Sequence, residues 1–487
     1  MSFSRLSSMQ LYVHQPYFID VEVDISVGLN HFSIVGLPDK AVEEAKDRIS
    51  AAIKNSGFTS PKSKNQKIVI SLAPAELRKE GAHFDFPIAL AYLLGAGEIR
   101  FDPQNKIFVG ELSLDGSLRS IKGVLAYVIA AKKRGIKEVY IPFCDSEEAS
   151  VVEGIKIFPI KNITEIVKHF EKEFISPVTH QPVVIKERKV EIDFREVKGQ
   201  EGVKRALLIA ASGRHSIMMY GPPGTGKTML AKAFSGILPE LSYDDILEVT
   251  TIHSSVGISS GLIFHPPFRA PHHGASYFSM IGGGAYPKPG EITLAHKGVL
   301  FMDEFPEFKR DIIESMRLPL EEKEVRISRL KNSSIFPADF LLIAAMNPCP
   351  CGFRGSVSKS CSCSDAVFQR YRRSISGPIM DRIDMWVEVS EVDYRKFGNV
   401  RNDSESTATI RQKVIKARER SGRNGQGIPT ISEKCRSLLN ASSESLHLSA
   451  RGYHKVIKLS RTIADLDSEK NVQEKHILEA LQYRSRF

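Results

Sequence analysis

Residues 221–228 read Gly-Pro-Pro-Gly-Thr-Gly-Lys-Thr, which meets the phosphate-loop pattern G-x-x-x-x-G-K-[ST] at every fixed position. The glycines let the backbone bend until successive N–H groups point inward at phosphate oxygens. Lys227 brings a positive charge to the β- and γ-phosphates, and Thr228 brings a hydroxyl for Mg²⁺. Gly221, Pro222, Pro223, Gly224, Thr225, Gly226, Lys227 and Thr228 are therefore the candidate ATP-binding residues. Such a loop needs a strand before it and a helix after it, because the helix N-terminus completes the anion site. Ser216–Tyr220 reads as a short buried strand and Met229–Leu238 as the helix, so the surrounding domain is expected to be α/β.

The rest of the chain divides into three regions. Residues 1–175 alternate strand-like runs, such as Val21–Ile25 and Lys67–Ser71, with helix-like runs at Ala41–Ser56 and Val124–Arg134. Residues 176–192 read as a linker, with Pro177 and Pro182 ahead of a basic end at Lys186–Lys189. Residues 193–390 carry the phosphate loop. Residues 391–487 begin polar, with a loop expected at Ser421–Gly427, and end in helices over Ser449–Leu466 and Val472–Tyr483. No apolar run is long enough to span a bilayer, and the first residues lack the apolar stretch of a secretory signal, so a cytoplasmic protein without a membrane partner is expected. The net charge of +10 permits contact with nucleic acid, and a diffuse basic surface accounts for it equally well.

Hydrolysis needs more than a phosphate loop. It needs a carboxylate for Mg²⁺ and a group that activates water. Gly298–Met302 reads as a buried strand that delivers Asp303 and Glu304 to its carboxyl edge. Asp303 is the candidate Mg²⁺ partner and Glu304 the candidate base. A second apolar strand, Leu341–Met346, ends in Asn347. Its amide is placed to hold the water or sense the γ-phosphate; the alternative is an ordinary turn-opening Asn before Pro348.

With these residues in place the chain resembles the magnesium-chelatase-like AAA+ proteins of the YifB/ComM type. Residues 221–228, 299–304 and Asn347 look like Walker A, Walker B and sensor 1. More specific are Phe268–Ser276, Gly282-Gly-Gly, Pro289–His296, Asn347-Pro-Cys-Pro-Cys-Gly352 and Asp381-Arg-Ile-Asp384. The resemblance covers nearly the whole chain. It implies a central P-loop AAA+ α/β domain and a C-terminal helical lid. Arg382 matches the arginine finger, which would reach a γ-phosphate held by a neighbouring subunit. Arg451 matches sensor 2, which would report nucleotide state to the lid. A finger acting in trans implies an oligomer, expected to be a homo-hexameric ring.

Cys349, Cys351, Cys361 and Cys363 form two C-x-C pairs. Tetrahedral Zn²⁺, free buried thiols and a redox role all remain open at this stage, since each pair is tighter than the usual zinc spacing. Cys144 and Cys435 read as structural. In the first region, Gly110–Gly123, Ala130–Gly135 and Lys79–Asp85 look like the proteolytic domain of Lon, implying an α+β fold of the ribosomal S5 domain 2 type. The position matching the Lon serine holds His83, and that matching the lysine holds Leu125. Proteolysis is therefore not expected, although Ser71 with Lys79, or Ser120 with Lys122, would make a shifted dyad.

The load such a motor would act on is less legible. DNA leads, because family members of the ComM type act as helicases in branch migration. Arg269, His272 and His273 beside Phe268, and Lys323, Arg326, Arg329 and Lys331 in a hairpin-like stretch, would suit pore loops that track a backbone. Subunit packing or plain surface turns explain the same residues. A protein remodeller or Lon-like protease, and a metal-chelatase motor subunit, are the other readings.

Overall fold

The computed structural model describes residues 2–12, 15–171, 173–182, 188, 190–258, 261–284, 287–328, 333–356, 359–391, 405–424, 431–446 and 448–484. The chain forms two units. One comprises residues 1–185 together with 247–262, and the other residues 186–246 together with 263–487. The short stretch 247–262 thus belongs with the N-terminal unit, although it lies inside the span 193–390 expected for the central domain.

The first unit is built on a four-stranded sheet ordered Ser2–Tyr12, Gln15–Val27, Gln66–Ala73, His31–Val35. The first two strands form a hairpin and the second pairs antiparallel with Gln66–Ala73. His31–Val35 joins in parallel, which requires the crossover helix Lys40–Asn55. Val21, Val23, Ile68, Ile70 and Leu72 alternate onto the buried face, as a half-covered sheet demands. Helix Asp85–Gly95 is buried along almost its whole length and supplies much of the core. A second, three-stranded parallel sheet comprises Lys106–Phe108, Glu138–Pro142 and Lys156–Ile160.

The second unit holds a five-stranded sheet in the order Phe268–Arg269, Val299–Met302, Leu341–Met346, Ile217–Tyr220, Met385–Glu388, with every pairing parallel. The central strands are buried on both faces, which is why they read as unbroken apolar runs rather than alternating ones. Helix Lys227–Ile237 follows the strand Ile217–Tyr220 through the glycine-rich loop. Gly221 has no room for a side chain: a Cβ there would lie 2.1 Å from the carbonyl oxygen of Val389.

Helices Thr407–Asn424, Glu433–Ser445, Ala450–Leu466 and Glu474–Gln482 complete this unit. Their apolar faces, including Val414, Leu439, Val456, Ile463 and Ile477, share one core with the sheet and its helices. Ser449 caps its helix by accepting from the Gly452 N–H. The loop expected from Ser421 starts later, because the helix from Thr407 runs through Asn424; residues 425–427 lie outside the described set. Arg205 binds both Asp467 and Glu479, tying helix Glu201–Gly213 to the C-terminal helices. No described helix is long and apolar enough to cross a membrane.

Candidate active site

The parallel sheet brings the site together at the carboxyl ends of three adjacent strands. Leu341–Met346 lies between Ile217–Tyr220 and Val299–Met302, so Asn347 emerges between the phosphate loop and the acidic pair. Gly224 and Gly226 both have positive φ, the conformation that turns the loop inward ahead of the helix N-terminus. Thr225 fastens the loop by donating from Oγ1 to the Pro222 carbonyl at 2.9 Å.

Lys227 is buried and folds back over the loop. Its ammonium donates to the carbonyls of Gly221 and Pro222 at 2.7 and 2.9 Å and to Asn347 Oδ1 at 3.2 Å. Burial lowers its pKa, and Asp303 opposes that shift. Those acceptors hold the charge where phosphate oxygens would compete for it. Thr228 Oγ1 donates to Asp303 Oδ2 at 2.8 Å. The hydroxyl and carboxylate are thus adjacent and hard-oxygen in character, a donor pair suited to Mg²⁺.

Glu304 sits in the left-handed region, with φ of 51°, a conformation that costs a residue other than glycine about 1–3 kcal/mol. Its N–H is held by Asp303 Oδ1 at 2.9 Å, and its carbonyl accepts from the Glu307 N–H at 2.8 Å. His273 Nδ1 lies 2.9 Å from Glu304 Oε2, and the His273 ring lies beside His272 with centroids 4.1 Å apart.

Arg269, Lys323 and Arg326, read as pore-loop candidates, have acidic partners within the chain. Arg269 makes a two-pronged pair with Glu291 at 2.7 and 2.8 Å. The hairpin exists, as Glu324–Ser328 paired with Ser333–Pro337. Its Lys323 meets Asp339 at 3.0 Å, and Arg326 meets Glu322 at 2.7 Å. Arg329 and Lys331 lie outside the described residues.

Arg382 and Arg451 meet on a single carboxylate. Both oxygens of Glu321 accept, one from Arg382 and the other from Arg451 at 2.6 Å. Opposite charge holds Glu321 below the usual carboxylate range, through the Arg382 hydrogen bond first. The two arginines thus form one cluster around an acid that no motif marks.

The four clustered cysteines are brought together. All their sulfurs lie within 4.8 Å of one another. Cys349 is 3.3 Å from Cys351 and 3.6 Å from Cys361, and Cys351 is 3.5 Å from Cys361. Backbone N–H groups of Phe353 and Ser362 push the Cys351 thiol down to about 5. A soft, compact four-thiol set of this kind fits a tetrahedral metal ion. Cys435 is buried and Cys144 exposed.

At the Lon-like positions, His83 is half-buried. Its Nε2 lies 3.0 Å from the Met9 carbonyl oxygen, and burial pushes its pKa down to about 4. Leu125 is fully buried. Lys79 is buried too, donates to the Pro74 carbonyl, and is pushed down to about 8 by burial. Ser120 donates its hydroxyl to Asp145 Oδ1 at 2.5 Å.

The chain is similar to known proteins along nearly its whole length. The family described as magnesium chelatase, subunit ChlI, matches residues 193–397; its companion descriptions, subunit ChlI of Mg-chelatase and the ChlI C-terminal region, match 21–145 and 404–484. Competence protein ComM of Haemophilus influenzae is 38% identical over 97% of this chain and 95% of its own length. The protein YifB of Escherichia coli is 37% identical over 96% of this chain and 94% of its own. Lon protease 2 of Bacillus subtilis is 30% identical over a shorter stretch, 32% of this chain and 33% of its own.

Proposed function

Because the chain belongs to the magnesium-chelatase-like family that includes ComM and YifB, we propose that it is an ATP-hydrolysing AAA+ ring motor whose load is DNA. The observation that carries the hydrolytic part is the Thr228–Asp303 contact at 2.8 Å, with Glu304 next in sequence and Asn347 on the intervening strand. Thr228 and Asp303 would hold Mg²⁺, which supplies charge neutralisation at the transferred phosphate. The loop N–H groups and Lys227 bind the phosphates, and Lys227 exchanges its carbonyl acceptors for phosphate oxygens. Glu304 accepts a proton from the attacking water, and Asn347 orients that water. His273 restrains the Glu304 carboxylate.

Arg382 acts on a nucleotide held by a neighbouring subunit, which calls for a ring, most simply a homo-hexamer, and Arg451 reports nucleotide state to the lid. In the proposed division of labour, residues 193–390 form the motor, 391–487 a helical lid and 1–175 a Lon-like scaffold joined by a linker at 176–192. His83 and Leu125, standing where Lon has its serine and lysine, argue against a protease there. The four thiols are proposed to take Zn²⁺.

DNA is favoured as the load by the net charge of +10 and by the kinship with a competence protein. The test is ATP turnover by the purified chain with and without single-stranded, forked and four-way DNA, alongside strand displacement and a casein digestion control. DNA-stimulated turnover with unwinding is expected, and Glu304→Gln should bind ATP yet lower turnover by about 10²–10⁴. Turnover indifferent to every DNA, together with casein cleavage, would replace DNA with a protein load.

A further inference from the structure

We propose that Cys349, Cys351, Cys361 and Cys363 bind one Zn²⁺ and that this metal clip positions the nucleotide site, so that ATP turnover rather than ATP affinity depends on zinc. The inference rests on the ATPase reading above.

The ligand geometry comes first. Zinc–sulfur bonds of about 2.3 Å imply tetrahedral edges of about 3.8 Å. The sulfur pairs among Cys349, Cys351 and Cys361, at 3.3, 3.6 and 3.5 Å, are near that edge and well beyond a covalent sulfur bond, and Cys363 Sγ lies within 4.8 Å of each. The Arg354 N–H donates to Cys349 Sγ at 3.3 Å, the backbone support that a thiolate in a tight knuckle receives.

The connections to the nucleotide site are short, and there are three. Cys349 is two residues beyond Asn347, whose side chain accepts from Lys227. Gly352, just after the first cysteine pair, lies on the phosphate loop. With φ of +86°, it approaches so closely that a Cβ would lie 2.7 Å from Pro223 Cδ. After the second pair, Ser364 caps helix Asp365–Arg372, accepting from the Val367 N–H. That helix returns to the sensor: Tyr371 donates its hydroxyl to the Asn347 carbonyl at 3.0 Å. Arg354 lies over the Phe368 ring at 3.7 Å and binds the knuckle to the same helix. A metal joining the two pairs therefore closes a ring of contacts around Asn347. Without it, the loop after the sensor strand and the helix bearing Tyr371 are joined only by weaker contacts. Asn347 orients rather than binds, so its drift should be felt in turnover.

The test uses the full-length chain. Metal analysis is expected to find one zinc per chain and no colour from iron–sulfur absorption. Stripping the zinc, with its loss verified, should lower kcat by about tenfold or more while leaving ATP affinity within about threefold. Restoring zinc should restore kcat. Tyr371→Phe and Gly352→Ala keep all four ligands; both should retain zinc and lower kcat in the same sense, which separates the coupling from any misfolding of a Cys361→Ser variant. A metal-free or iron-bearing chain overturns the site. Zinc-stripped protein with unchanged kcat, or Tyr371→Phe and Gly352→Ala both at wild-type turnover, overturns the coupling while the ATPase reading stands. No turnover by zinc-loaded protein overturns both.

Discussion

Asp384 offers the sharpest test of how this unit holds its site in place. Its Oδ2 accepts from the Ser216 N–H at 2.9 Å, and its Oδ1 lies 2.7 Å from the Lys455 ammonium. The side chains of Lys455 and Asp384 are 20% and 21% exposed, so the pair is largely out of water. Three elements converge here: the strand that leads to the phosphate loop, the strand Met385–Glu388 beside it, and helix Ala450–Leu466. Asp384→Ala leaves the ammonium buried without its partner, a change that costs about 3–5 kcal/mol. The residual exposure places the expectation near the lower end, about 3 kcal/mol, or roughly a hundredfold in the folding constant. Asp384→Asn keeps an acceptor for Ser216 and should cost less. Combining Asp384→Asn with Lys455→Met removes both charges and should recover about 2 kcal/mol of the summed single losses.

The assay is built in. Trp386, the one tryptophan of the chain, lies two residues from Asp384 on a strand edge and is 4% exposed. Its fluorescence follows urea unfolding of this unit at unchanged slope. Burial pulls the Asp384 carboxyl upward, but Lys455, His215 and the Ser216 N–H outweigh it and hold the group below the ordinary carboxylate range. A lowered folded pKa contributes stability above the unfolded value, about 3.9, and loses it as pH falls through the folded value. The gap between wild type and Asp384→Asn should accordingly narrow in acid. An Asp384→Ala loss under about 1 kcal/mol, or single losses that simply add, would refute the reasoning.

Two further expectations follow from the remaining clusters. Glu321→Gln releases Arg382 and Arg451 from their shared carboxylate; ring turnover should reach half-maximum at a subunit concentration about threefold lower, and a fall in maximal turnover toward that of Arg382→Ala would instead give Glu321 an active role. His83 is neutral when folded, with a pKa near 4 against 6.5 unfolded, so its contribution is present above about 6.5 and lost as pH falls toward 4. Asp85, pushed up to about 6 by burial against the pull of Arg48, works in the opposite direction, losing stability as pH rises through that value. His83→Gln should therefore leave Asp85 unopposed, and hydrogen exchange in helix Asp85–Gly95 should slow as pH, corrected for intrinsic rates, falls from 6 to 4.

The elements that were legible in the sequence are those fixed by neighbours in the chain. The phosphate loop is eight consecutive residues, and the strands before Asp303 and Asn347 are unbroken apolar runs because a parallel sheet buries both faces. What stayed hidden is pairing across long separations. The two His272–His273 rings read as a basic loop for DNA, yet His273 meets Glu304, because composition counts charges without saying which acids face them. The acidic partners of Arg269, Lys323 and Arg326 stayed hidden for the same reason. Glu321 lies 61 residues from Arg382 and 130 from Arg451, in a run that carries no pattern of its own.

Asn347 shows where the boundary falls. Its position at the end of an apolar strand could be read directly, and its place in the sheet order makes the reading meaningful. Leu341–Met346 is inserted between the strand that carries the phosphate loop and the strand that carries the acids, so the first residue beyond it must face both. Its support could not be read. Tyr371 reaches the Asn347 carbonyl from a helix whose amphipathic pattern says nothing of a target, and Gly352 meets Pro223 through backbone shape alone. A side chain that only orients water depends on such supports more than one that binds charge, since small displacements change rate before they change affinity. Variants at Tyr371 and Gly352, which touch no phosphate, should therefore separate turnover from binding more cleanly than variants of the phosphate loop itself.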